Sequence, residues 1–309
     1  MRNRIKDLWL VIVLILGASA LLLMSDLKQR QTRENKIAVV TIITLIENPL
    51  LDDAIAGVEA GLIESGLTRE RDYAVKKYSA QGEIGQLPQI VDAVILEKPA
   101  VIVTVTTPAL LAAAAKVNDI PLVFTVASDP YKLQIFKEGK KPANICGVHD
   151  NPPVGRLLKM AARFNQNLTK AGIVYDAAQI NSLISVERLR AAGKEQHIHI
   201  LEATASSVSD LGTAAQSLIQ RGAEAFILSA DNLVLTGFPV ILKVTKGAGI
   251  PVYVTEPDFV SQGASGAIGD NYYEWGKQSG QMAAKVLTGV SPFDLSVTET
   301  KNQYVIEPK

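Results

Sequence analysis

Seven short segments end runs of apolar residues on side chains able to hold a polar molecule. They are Glu47-Asn48-Pro49, Thr106-Thr107-Pro108, Ser128-Asp129-Pro130, Gln179-Ile180-Asn181-Ser182, Asp231-Asn232, Glu256-Pro257-Asp258 and Asp270-Asn271. Hydroxyls and amides there suit an anionic or neutral group, and carboxylates suit an ammonium or hydroxyl group. Taken singly, each segment also reads as a helix cap or turn, because Thr, Ser, Asp and Asn before proline do that work. Their joint occurrence in both halves of the chain points further, to loops that face each other across a cleft. Machinery for turnover is missing. No G-x-S-x-G elbow occurs, and GASGAIG at 263–269 has neither the glycine spacing nor the Lys of a phosphate loop. Glu47, Asp129, Asp231, Glu256 and Asp258 admit a glycosidase-like pairing, but carboxylates at strand ends more often bind than catalyse. His149, His197 and His199 lack metal-ligand spacing, and the single cysteine, Cys146 in NICGV, reads as a small buried thiol. The expectation is binding without chemistry, cofactor or metal.

The elements that would position these residues alternate along the chain. Val- and Ile-rich runs at 37–43, 73–79, 101–105, 122–126, 172–175, 198–203, 225–229 and 252–255 predict strands, separated by amphipathic stretches. In LDDAIAGVEAGLIESG, Leu51, Ile55, Val58 and Leu62 fall on one helical face. Asn151 is expected to cap a helix opened by Pro152 and Pro153. The series runs twice, which predicts an α/β protein of two doubly wound, Rossmann-like domains, each with a parallel sheet. The expected division is 1–35 for a terminal helix and tether, 36–147 plus about 270–290 for one lobe, and 148–269 plus about 291–309 for the other.

Composition narrows the partners. With 31 basic and 31 acidic residues the formal net charge is zero, so no long-range field draws nucleic acid. The start of the chain differs from the rest: MRNRIK is basic, and Leu8–Met24 is uncharged over a length that crosses most of a bilayer core. Ala18-Ser19-Ala20 resembles a signal-peptidase site, yet the apolar run continues to Met24, which favours an uncleaved anchor over a cleaved signal. Residues 25–35 read as a polar tether.

The segments ENPLLDDAIAGVEAGLIESG, IVTVTTPALLAAA, DIPLVFTVASDP, NICGV, SADNLV and GAIGDNYYEWGKQSGQMAAKVLTG, in that order, resemble the ABC-transporter substrate-binding family whose members bind tryptophan, tyrosine and related solutes. The resemblance runs over 36–309 and implies a type I periplasmic binding protein. Such a protein is a monomer on the periplasmic or extracellular side that captures a small solute by hinge closure and passes it to a permease driven by an ATPase. It implies ligand loops at Glu47 and Asn48, Thr106 and Thr107, Ser128 and Asp129, Asn181 and Ser182, Asp231 and Asn232, Glu256 and Asp270. Physical roles follow for an amino acid. Thr106 and Thr107, before a helix N-terminus, suit its carboxylate, while Asp129 and Asp231 suit its ammonium group. Tyr131, Phe238, Tyr272 and Tyr273 either stack on the ligand or pack in core and hinge. Two departures from the family pattern are the anchor and Ala230, where a threonine is more usual. A membrane-tethered sensor, or an enzyme on the same scaffold, are the alternative readings.

Overall fold

The computed structural model describes residues 37–136, 140–300 and 303–308, with Ser19 alone ahead of them. The expected anchor and tether therefore lie outside the described residues, and among those described no helix is long and apolar enough to cross a membrane.

The first half follows the apolar runs of the sequence. β1 (Ala38–Thr44) leads into α1 (Pro49–Glu64), β2 (Tyr73–Ser79) into α2 (Leu87–Glu97), β3 (Val101–Val105) into α3 (Thr107–Ala114), and β4 (Leu122–Ser128) into β5 (Ile145–Asp150). The second half runs α4 (Val154–Phe164), β6 (Lys170–Tyr175), α5 (Ile180–Gln196), β7 (His199–Thr204), α6 (Val208–Gln220), β8 (Ala225–Leu228), α7 (Asn232–Gly247), β9 (Val252–Val254), α8 (Phe259–Gln262) and β10 (Gly266–Asp270). α9 (Tyr272–Leu287), β11 (Thr298–Glu299) and β12 (Gln303–Ile306) close the chain. Two six-stranded sheets result, ordered β11-β5-β4-β3-β1-β2 and β12-β10-β9-β8-β6-β7. All pairings are parallel except β10 with β12. β3 and β4 are buried along their whole length, as strands covered on both faces must be.

Both sheets repeat one winding. The chain starts centrally at β1 or β6, steps one way to β2 or β7, then reverses to β3 or β8. That reversal is a topological switch point, where the loops leaving neighbouring strand ends diverge and open a crevice. The crevices of the two sheets supply the residues of the cleft described below.

Three readings of the sequence need correction. ICGVHD at 145–150 is a strand, β5, so a boundary at 147 would cut it. Thr298–Glu299 pairs with β5 in the first sheet, so the last residues give one strand to each sheet. The helix after Pro152 and Pro153 begins at Val154 with Pro153 in the cap position and no side-chain cap, so Asn151 does not close it.

α9 leaves the second sheet and returns to the first, packing along α1. Gly57 and Gly61 on α1 face Gly276 and Gly280 on α9, and the approach is so close that a Cβ on Gly276 would lie 1.8 Å from the Ala54 carbonyl oxygen. Trp275 Nε1 donates to Val148 O at 2.9 Å, and Ser279 Oγ donates to Phe124 O at 3.1 Å. These bonds seat α9 on β4 and β5.

Candidate functional site

At the switch points the loops of the two sheets meet. Asn48 shows how a cap doubles as a tie: its Oδ1 accepts from Leu50 N at 3.0 Å, opening α1, while its Nδ2 donates to Leu235 O on α7 at 3.3 Å. Beside Leu235 lies a small cavity of about 20 Å³. Thr106, Thr107 and Ser128 line it from the first sheet, and Asn181 and Asn232 from the second. Asp150 and Tyr272 line it where the chain crosses between them. Small-molecule sites are commonly about 300–1,000 Å³, so this space admits about one water and no solute until the walls part.

The backbone around this space is strained. Thr106 sits at φ 88°, ψ 151°, a region that β-branched residues avoid. Val126 sits at φ 50° where β4 slips register against β5 between Phe124 and Ala127, a bulge that re-aims the strand end. Both residues line the same cavity, and strain of this kind concentrates at ligand clamps.

Polar saturation is also incomplete there. Thr106 Oγ1 and Asn181 Oδ1, both on the cavity wall, are buried without a hydrogen-bond partner. So are Tyr272 Oη, Glu256 Oε2 and Asp270 Oδ1 at the lobe crossing. Buried polar atoms are normally paired, so an unpaired cluster is a sign of function. Thr107 Oγ1 accepts from Ser128 N at 3.0 Å, which leaves its O–H available to donate. α3 follows directly, with free N–H groups at its first turn.

The carboxylates divide differently from the sequence expectation. Asp231 is saturated. Its Oδ1 accepts from Leu233 N and Val234 N at 2.8 and 3.1 Å, capping α7, and its Oδ2 accepts from Asp176 N at 2.8 Å and Ser182 Oγ at 2.6 Å. Four donors occupy its lone pairs, so Asp231 and Ser182 hold the second sheet's loops together and are not free for an ammonium group. Asp129 is off the cavity wall and accepts from Tyr131 N at 2.9 Å in a local turn. Glu47 is exposed, accepting from Gln81 Nε2 at 3.0 Å. It lines an outer chamber of about 410 Å³ at the cleft mouth. The outer and inner spaces share Asn232, whose Nδ2 donates to Gln179 Oε1 at 2.5 Å.

Glu256 and Asp270 are buried. Burial pushes the Glu256 carboxyl up to about 8, against a bond from Thr255 Oγ1 at 2.6 Å, and pushes Asp270 up to about 6. Asp150, absent from the sequence candidates, lies well above the usual carboxylate range because of burial and then the neighbouring Asp270. Like the other candidates Asp150 ends a strand, one whose pattern Gly147 and His149 obscure in the sequence.

The aromatic candidates separate. Phe238 is fully buried and stacks on Phe259 at 4.2 Å, Tyr131 packs edge-on against Phe136, and Tyr273 does not line the cavity, whereas Tyr272 does. Trp275 joins Tyr272 on the wall. Cys146 is buried with its thiol pushed up to about 12 by burial, which rules out a thiolate at neutral pH. No group of three or more His, Cys, Asp or Glu among the described residues is arranged to hold a metal ion.

Comparison with known proteins places this geometry. The family model described as ABC transporter substrate binding protein matches residues 36–309. A tyrosine-binding protein of Clostridioides difficile is 27% identical over 97% of this chain and 89% of its own length. The L-Trp complex of an ABC domain from Streptococcus pneumonia superposes with a TM-score of 0.80 at 21% identity, covering 86% of this chain and 90% of that one. The ligand-free, open structure of a substrate binding protein with adhesive properties from Clostridium difficile superposes with 0.66 at 26% identity, covering 87% and 91%. The fold is that of type I periplasmic binding proteins.

Proposed function

The chain belongs to the ABC transporter substrate binding protein family, and we propose that it captures an aromatic or other amino acid between two hinged lobes and delivers it to an ABC permease and its ATPase. The first lobe in this reading comprises the first sheet with α9, the second comprises the second sheet, and the chain crosses between them at 150–154, at 270–272 and between β11 and β12. The protein works as a binder without turnover, outside the cytoplasmic membrane, with Leu8–Met24 as its anchor.

The observation that carries the reading is the interlobe cavity, where strained Thr106 presents an unpartnered buried hydroxyl beside the N-terminus of α3. That corner suits a carboxylate, through Thr106, Thr107 and the free N–H groups of the helix. Tyr272 and Trp275 on the same wall suit an aromatic side chain. Closure has its own support. The inner space is small, Asn48 at the start of α1 bonds to Leu235 O on α7, and the chain superposes better on the Trp complex than on the open, ligand-free structure despite lower sequence identity to the former. The inner space would have to widen around the ligand, so that ligand enters an opened form and the lobes then close onto it with contacts that the open form lacks.

A thermal-shift series with L-tyrosine, L-tryptophan, other amino acids and sugars tests this. A true ligand at a hundred times its dissociation constant adds about 2.7 kcal/mol. A shift with sugars alone would overturn the amino-acid reading.

A further inference from the structure

We propose that a groove at the hinge binds a phosphate-bearing anion, a second site that clasps the two lobes from outside the solute cavity. The groove has a volume of about 620 Å³ and lies beside two of the three lobe crossings, those at 150–154 and between β11 and β12. It shares only Pro152 with the solute cavity.

The chain as a whole carries equal numbers of acidic and basic residues, but this groove does not. Lys132, in the turn after β4, lines it from the first lobe. Arg156 and Lys159, three residues apart and so on one face of α4, line it from the second lobe, as does Arg188 on α5. The acids on the wall among the described residues are Glu195 on α5 and Glu299 on β11, so four cations against two acids leave a surplus of two positive charges.

Arg188 Nη1 is buried with no hydrogen-bond partner, although Asp150 lies close enough to feel its charge. Arg156 Nη1 donates to a neutral oxygen, Gln303 Oε1, at 2.5 Å. Among the described residues neither Lys132 nor Lys159 forms a hydrogen bond or an ion pair through its side chain. A buried guanidinium nitrogen without an acceptor carries the cost of its lost hydration, so an acceptor that reaches it is favoured.

The start of α4 adds backbone donors. Pro153 occupies the cap position and no side chain caps the helix, while Arg156 N and Leu157 N are already bonded to Pro153 O. Val154 and Gly155, at the first two helical positions, are both on the groove wall, and their N–H groups have no intrahelical acceptor. Guanidinium, ammonium and helix N-terminal donors together are the set that holds phosphate oxygens. A surplus of two charges matches a phosphate monoester, and a groove within the roughly 300–1,000 Å³ usual for small-molecule sites has room for the group esterified to it. A membrane surface fits less well, because Arg188 Nη1 is buried where a flat headgroup layer does not enter.

Held by Lys132 on one side and by α4 and α5 on the other, the anion favours the arrangement in which these cations converge. A solute held by the same arrangement is then bound more tightly with the anion present, and the anion more tightly with the solute, by one factor. That consequence rests on the solute reading; the anion site does not.

The test is calorimetry on the wild-type chain with glycerol 3-phosphate and with pyrophosphate, at fixed ionic strength and without solute. One anion per chain is expected. Lys132→Gln and Lys159→Gln, both at exposed positions that folding does not depend on, should each weaken binding about threefold or more, and Arg188→Gln about tenfold or more. Lys243→Gln, the same loss of charge at an exposed position on α7, should leave affinity within about twofold. Three results overturn the inference: no anion bound, equal weakening by Lys243→Gln, which makes the attraction diffuse, or no effect of Lys132→Gln, which leaves the anion on one lobe. Binding of phosphatidylglycerol vesicles without either soluble anion overturns it too, as a membrane contact. Repeating the titrations with L-tyrosine and L-tryptophan separates the two readings. Anion binding while neither amino acid binds leaves the site standing and fails the amino-acid reading, and amino-acid binding without anion binding does the reverse. Where both bind, each should raise affinity for the other by the same factor, about fivefold or more, and the absence of any mutual effect would overturn the clasp.

Discussion

Thr106 carries two burdens in one residue: a backbone conformation that favours glycine and a buried hydroxyl with no partner. Strain of this kind costs about 1–3 kcal/mol. Thr106→Gly removes it, less about 0.5–1 kcal/mol for glycine's extra freedom in the unfolded chain. Urea unfolding should therefore show a variant about 1 kcal/mol more stable, while its ligand affinity falls; a less stable variant would show that the strain is absent. Glu256 makes a second case. In the unfolded chain its carboxyl titrates near 4.5 and in the folded chain near 8, so between those values the folded form holds a proton that the unfolded form has lost. Stability from this group is full below about 4.5, declines as pH rises and is gone above about 8, at up to about 1.4 kcal/mol per pH unit. Glu256→Gln should flatten the fall of melting temperature across this window; an unchanged slope would remove Glu256 as its cause. Residue types at the strand ends were legible in the sequence, and Thr106, Thr107, Ser128, Asn181 and Asn232 do share one cavity. Which carboxylates were free was not legible, because Asp231 is saturated by donors as distant in sequence as Asp176 and Ser182.

Among the elements, those with the plainest pattern matched best. YAVKKYS and VIVTV are strands over the residues expected, being bounded by polar turns and rich in β-branched side chains. ICGVHD escaped notice because Gly147, His149 and Asp150 interrupt its apolar run, and only the neighbouring β4 explains why it extends. α9 had a readable periodicity, but its partner was hidden, since close approach to α1 depends on glycines more than 200 residues apart. A methyl group at Gly276 would collide with main-chain oxygen, which cannot rotate away as a side chain can. Gly276→Ala should cost stability at or beyond the upper end of the about 1–3 kcal/mol typical of overpacking. Gly247→Ala, at the end of α7 with nothing within 4 Å of the added carbon, should instead be neutral or stabilising by up to about 1 kcal/mol. Equal effects of the two in chemical denaturation would contradict the close packing of α1 on α9.

At the scale of the whole molecule, the alternation of strands and helices was enough to expect two sheets, and the expected division, 36–147 with about 270–290 against 148–269 with about 291–309, already has the chain change lobe three times; where the last change falls was not legible, because segment order carries no mark of which sheet a late strand such as Thr298–Glu299 joins. The return of α9 has a consequence for how the molecule comes into being. The groove of α1 that carries Gly57 and Gly61 has no cover until a helix starting at Tyr272 has been made. As the ribosome works from the N-terminus, the first sheet and α1 emerge early but stay without α9 until nearly the whole chain exists. Their completion waits on contacts of long sequence separation, which form slowly. The first half of the nascent chain thus lacks its last packing partner for most of its synthesis.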